Sequence, residues 1–220
     1  MLRTLAIASA ICIGMVLVRF AYVGTLRFRF CGLLLNLLLA WVPLLLAVPL
    51  RHLASERRRL LLWGTFAAWL LFFPNAFYLT TDLVHNHKFG TDDVFRWYDL
   101  LMTVGFASAG MFLGSTSLNL LHIMVRQRRG PAAGWLFALA MLALGSFGVY
   151  LGRFLRLNSW HVLTEPAAVA HAIVATLSPP GIGETAAFCA AFFAFSVAVY
   201  CFVLSTVHLR ESPVSRSSSG

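Results

Sequence analysis

The chain has 220 residues, 60% of them hydrophobic and only 11% charged, with a formal net charge of +9. A soluble domain carries about 25% charged residues, so water cannot solvate this composition and a bilayer is the expected solvent. The basic residues stand in short clusters between apolar runs, the pattern of membrane topology determinants, which excludes a nucleic-acid-binding face.

In chain order, Leu5 to about Val18 is apolar after a single Arg3. A cleaved signal peptide is one reading. No small-x-small cleavage site follows cleanly and Arg19 interrupts where one belongs, so a retained first span is favoured, with Arg19 snorkelling to the headgroups. Cys31–Leu50 is the second span, since about 20 residues at about 1.5 Å rise cross a hydrocarbon core of about 30 Å. Pro43 and Pro49 are tolerable there because neighbouring helices can satisfy the freed carbonyls. Asn36 is expected to bond across to another helix.

A basic loop, Arg51 to Arg59, leads into the third span, Leu60–Leu79. Its Pro74-Asn75 pair disfavours continued helix and predicts a turn. A polar loop, Thr80 to Trp97, follows and carries Asp82, His85, His87, Asp92 and Asp93. The fourth span, Tyr98 to about Val125, is longer than a crossing needs. It contains Gly110-x-x-x-Gly114, a spacing that lets helix backbones approach, and an unusually polar half with Ser115, Thr116, Ser117 and Asn119. Hydrogen bonding between helices is the ordinary explanation of those groups, and a polar pathway is the sharper one.

Gly130-Pro131 after Arg126, Arg128 and Arg129 predicts a tight turn. Gly134–Leu151 is the fifth span, with Gly145, Gly148 and Gly152 as packing positions. In the connection Gly152–Thr185, Pro166 to Leu177 predicts a short helix lying in the interface plane. Ala186 to about His208 is the sixth span. The whole is expected to be an all-α polytopic bundle of about six spans in one domain, 1–210, with a disordered polar tail, 211–220. Cys12, Cys31, Cys189 and Cys201 all fall within or beside apolar runs with no Cys-x-x-Cys, so neither a disulfide nor a zinc site is expected.

With six spans, the termini and the loops at 51–59 and 126–132 share a side holding ten Lys and Arg, against seven on the other. The positive-inside rule places that side, with both termini, in the cytoplasm. Acidic residues split two against six.

The outer face then collects Asn75, Asp82, His85, Asp99, Arg153, Arg156, Asn158 and Trp160 as a polar site. His85 and His87 with an aspartate would suit a metal, but His-x-His in an exposed loop is a weak signal, and no metal or cofactor is expected. Arg153 and Arg156, at i and i+3, would share a face if the fifth helix continues, and could hold a phosphate or carboxylate. Pairing with Asp82 and Asp99 is the favoured alternative. An Asp–His base is conceivable, with Ser159 the one candidate nucleophile.

The segments Phe72-Phe73-Pro74-Asn75-Ala76-Phe77-Tyr78-Leu79-Thr80-Thr81-Asp82-Leu83-Val84-His85, Arg96-Trp97-Tyr98-Asp99-Leu100-Leu101 and Gly152-Arg153-Phe154-Leu155-Arg156-Leu157-Asn158-Ser159-Trp160 resemble a bacterial multi-span family, domain of unknown function 1361. The resemblance covers about Leu60 to the end of the sixth span. It implies a polytopic inner-membrane protein and supplies no activity. In the family it resembles, Asp often follows Asn-Ser-Trp where this chain has His161, a departure that makes a metal or catalytic role for position 161 harder to carry over. Two readings remain for the function. One is a non-enzymatic membrane component with a transporter-like, sensing or assembly role. The other is a membrane enzyme acting on a lipid headgroup or envelope precursor at the outer leaflet. The partners expected are the lipid bilayer, a small-molecule or lipid ligand of unspecified kind, and an oligomer packed through its helices.

Overall fold

The computed structural model describes residues 2–23, 28–53, 59–88, 93–157, 159, 161–179 and 181–211. The elements in order are α1 (Leu2–Val23), α2 (Phe28–Leu53), α3 (Arg59–Tyr78), a 3-10 stretch (Leu79–Lys88), α4 (Asp93–Arg129), α5 (Pro131–Phe154), the single turn α6 (His161–Thr164), α7 (Pro166–Thr176) and α8 (Ile182–Glu211). Among the described residues there is no β-strand. Six helices are long and apolar enough to cross a membrane, so the protein is an all-α bundle of the membrane class. The tail from Ser212 lies outside the described residues.

Lipid tails are as apolar as leucine, so helices in a bilayer are held together by close packing and polar links and gain little from burying apolar surface. The sequence supplies a stripe for each contact. On α1 the buried residues are Leu5, Ser9, Cys12, Val16 and Arg19, and on α2 the buried Leu and Ala side chains are Leu33, Leu37, Ala40, Leu44, Ala47 and Leu50. Both series step by three or four, one face of a 3.6-residue helix. The axis of the bundle is α4, with 61% of its spanning window buried against 17% for α8.

Glycines set how closely α3 sits between α4 and α5. A Cβ at Gly110 would collide with the Ala76 carbonyl, and one at Gly114 would stand 2.8 Å from the Phe77 ring. On α5, a Cβ at Gly148 would strike the Pro74 ring, one at Gly145 would stand 3.0 Å from Phe73, and one at Gly152 would stand 3.3 Å from Tyr78. The Gly110-x-x-x-Gly114 spacing therefore serves packing within the chain. An aromatic ladder on α3 fills the same interface: Trp69 and Phe73 stack at 4.7 Å, and Phe73 meets Phe77 edge-on at 5.4 Å. The turn between α4 and α5 is Gly130 alone, at φ +90°, a region that L side chains rarely adopt.

Three expectations are corrected. The helix does not turn at Pro74-Asn75 but runs through it to Tyr78. A proline leaves the carbonyl four residues back without its N–H and crowds the preceding turn. Here Gly148 makes room for the ring, and a hydroxyl from the α5–α6 connection donates into that turn. The expected loop from Thr80 is instead a 3-10 stretch to Lys88, and α4 begins at Asp93. Thr80 Oγ1 and Thr81 Oγ1 donate to the Phe77 and Tyr78 carbonyls at 2.7 Å each, satisfying acceptors that a helix end leaves open. Arg19 does not snorkel to headgroups: it is 7% exposed and faces α4. The short helix expected from Pro166 is present as α7.

Candidate functional site

The two motif segments meet at one end of the bundle. Asp82, in the 3-10 stretch, lies 3.8 Å from Arg153 Nη1 at the last turn of α5. Asn36 Nδ2, from α2, donates to the other Asp82 carboxylate oxygen at 3.5 Å, the long limit of a hydrogen bond. The Asp82 and Arg153 side chains are 24% and 20% exposed, so water reaches and screens the pair. Asn36 thus makes the cross-helix bond expected of it, and at least one Asp–Arg pair links the motif segments.

A second link joins the same two segments. Asn75 Nδ2 donates to Ser159 Oγ at 2.9 Å, and Ser159 Oγ donates to the Leu71 carbonyl at 3.1 Å. Leu71 belongs to the turn that Pro74 crowds. Asn75 of one motif and Ser159 of the other are therefore joined directly, and the serine hydroxyl also reaches the α3 backbone just before Pro74. Ser159 is the hydroxyl that the sequence offers as a candidate nucleophile. In the structure its hydroxyl donates to a backbone carbonyl and accepts from Asn75.

Arg153 and Arg156 do not share a helix face. The helix ends at Phe154, and Arg156 adopts φ +55°, a left-handed conformation that costs about 1–2 kcal/mol in a residue with a Cβ. The Leu155 and Leu157 N–H groups both return to the Leu151 carbonyl, at 3.2 and 3.3 Å. This reversal carries the chain back over α3 and delivers Ser159. Asp99 joins neither arginine of this segment. It is 1% exposed and receives two bonds from Arg19 of α1, at 2.7 and 3.1 Å. Tyr98 Oη, next in sequence, donates to the Met15 carbonyl at 2.6 Å. The sequence shows an arginine and an aspartate beside apolar runs, which marks each as needing a partner without saying which.

Of the expected site residues, Asn75, Asp82 and Arg153 are brought to one end with Asn36 and Ser159. Asp99 is sequestered with Arg19, and Arg156 is an exposed backbone pivot. Asn158, Trp160 and the side chain of His85 lie outside the described residues, as do Asp92 and the side chains of His87 and Asp93. Among the described residues, no group of three or more His, Cys, Asp and Glu is placed to hold a metal. All four cysteines are free.

A family model described as a protein of unknown function, DUF1361, matches residues 35–203. No curated protein and no solved structure matches the chain.

Proposed function

The chain belongs to the DUF1361 family of proteins of unknown function, and we propose that it is a multi-pass bacterial inner-membrane component that binds a ligand without transforming it. In this reading the ligand site is at the extracytoplasmic end. The observation that carries the reading is the Asp82–Arg153 pair, at 3.8 Å and about one-fifth exposed. It is loose enough for an incoming carboxylate or phosphate to take Asp82's place on the guanidinium, whose fork suits either anion. Asp82 then acts as a resident stand-in for the ligand, and Asn36 of α2 is the group that senses its displacement. A transporter-like or sensing role follows more naturally than catalysis, because the one nearby hydroxyl, Ser159, is committed to Asn75 and Leu71.

The basic clusters at 57–59 and 126–129 support placing this end outside. The test is lipid and envelope analysis of a strain deleted for the gene, together with thermal shift of the nanodisc-embedded protein against small phosphates and carboxylates. Unchanged lipid species with an anion-dependent shift that Arg153→Gln abolishes is the expected result. Accumulation of one lipid or envelope precursor in the deleted strain overturns it in favour of an enzyme acting at the outer leaflet.

A further inference from the structure

The opposite end of the bundle carries a second polar feature, independent of the reading above. His122 of α4 is 5% exposed, and its Nδ1 lies 2.7 Å from Tyr200 Oη of α8, itself fully buried. Its other ring nitrogen, Nε2, is buried with no hydrogen-bond partner. Ser115 Oγ shares that condition, and the two are the buried side-chain polar atoms so placed among the described residues.

The positions are related. Ser115, Asn119, His122 and Arg126 step by four, three and four, which puts them on one face of α4. The first three are buried and Arg126 is exposed, so the stripe runs from the bundle interior to an aqueous boundary. Ser115 and His122 are about 10 Å apart along the axis at about 1.5 Å per residue. Ser146 shows what a serine in such a helix ordinarily does: its hydroxyl donates to the Leu142 carbonyl one turn back, at 2.8 Å. Ser115 makes no such bond. Buried polar groups are ordinarily satisfied by protein or by ordered water, and here the two orphaned atoms share a stripe whose Arg126 end is exposed.

The imidazole is held rigidly in this stripe. Trp135 of α5 meets it edge-on with ring centroids 5.0 Å apart, and a Cβ at Gly134 would stand 2.9 Å from its Cδ2. The titratable or charged groups facing it are Tyr200 from α8 and Arg126 from its own helix. Gly134 and Trp135 of α5 bring no charge.

We propose that His122 is a proton-binding site reached by water from the Arg126 end of α4. Nδ1–H donates to Tyr200 Oη, which leaves the lone pair on Nε2 as the base. On uptake an N–H bond forms at Nε2 and an O–H bond of the hydronium in the water file breaks. The imidazolium keeps its bond to Tyr200, now charge-assisted and stronger, so protonation draws α8 onto α4. Asn119 and Ser115 extend the file inward from the site.

The experiment is 15N NMR of the full-length, histidine-labelled protein in lipid nanodiscs between about pH 5 and about pH 8, the range histidines sample, with exchange into D2O. His122→Gln assigns the resonance by removing it. Tyr200→Phe keeps the ring and deletes the hydroxyl, so it assigns the same resonance through loss of the hydrogen-bonded Nδ1 shift even if the first variant fails to fold. The expected result is a bare Nε2 at high pH that becomes N–H reversibly as pH falls, with Nδ1 protonated throughout and exchanging with D2O. An Nε2 that carries its proton at every pH, a ring that stays neutral over the whole range, or protons that do not exchange would each make this a packing pair and overturn the proposal.

Discussion

Arg19 and Asp99, eighty positions apart, form a two-bonded ion pair in the interior of the bundle, with 9% and 1% of their side chains exposed. Removing one partner of a buried pair strands the other charge and costs about 3–5 kcal/mol. Arg19→Met or Asp99→Leu alone is therefore expected to lower unfolding stability in detergent by that amount. The double variant recovers most of the loss, because two apolar residues leave nothing stranded. A double variant as unstable as the sum of the singles would contradict the pairing.

The Asp82–Arg153 pair should behave differently. It is longer and partly hydrated, and exposed pairs contribute about 0–1 kcal/mol. A double-mutant cycle of Asp82→Asn with Arg153→Gln is expected to show coupling below about 1 kcal/mol, weakened by salt. Cycles pairing Asp99→Asn with Arg153→Gln, or Asp82→Asn with Arg156→Gln, should be additive. Strong coupling in either of those would mean the charges sort differently from the geometry described.

Ser159→Ala deletes both bonds of the second link, which is part-buried. An intramolecular hydrogen bond contributes about 0.5–1.5 kcal/mol net, and a stability loss of that order is expected from this part-buried link. Asn75→Ala in the Ser159→Ala background should then cost little further. Full additivity would show that Asn75 acts elsewhere.

Gly148→Ala and Gly110→Ala test the sandwich around α3. Their Cβ atoms would meet a rigid proline ring and a backbone carbonyl, and overpacking of this kind costs about 1–3 kcal/mol. Gly14→Ala and Gly64→Ala meet nothing within 4 Å. Alanine is the better helix former by up to about 1 kcal/mol, so these two should be neutral or stabilising. Equal effects at all four sites would remove the packing argument.

The orientation is checked by cysteine accessibility in a background with the four native cysteines replaced. Asn86→Cys should label in intact spheroplasts, and Arg128→Cys only after the membrane is opened. The reverse pattern would invert the topology.

The spans were legible because each is a property of a continuous segment: length, hydropathy and flanking charge. Asn36 was legible in kind, since a lone amide in an apolar run must bond somewhere. Arg19 was misread because its position near a helix end suits snorkelling equally well, and only the approach of α1 to α4 decides. Pro74 was misread because the rule that proline ends a helix holds where water is the alternative partner. Here a glycine on α5 accepts the ring and Ser159 reaches the loosened turn. The arginine pair was misread because i, i+3 spacing implies a shared face only if the helix continues, and Arg156 instead takes a conformation usually left to glycine. Each miss concerns a contact between distant segments, which local pattern does not encode.

The family model begins at Leu35, yet the counter-charge of Asp99 sits on α1, outside that range. Translation delivers α1 to the bilayer before α4 exists. The two bonds from Arg19 to Asp99 can form only once α4 has been made. The link between α1 and α4 is thus closed only after α2 and α3 have been made, which makes it a late contact in the order of synthesis.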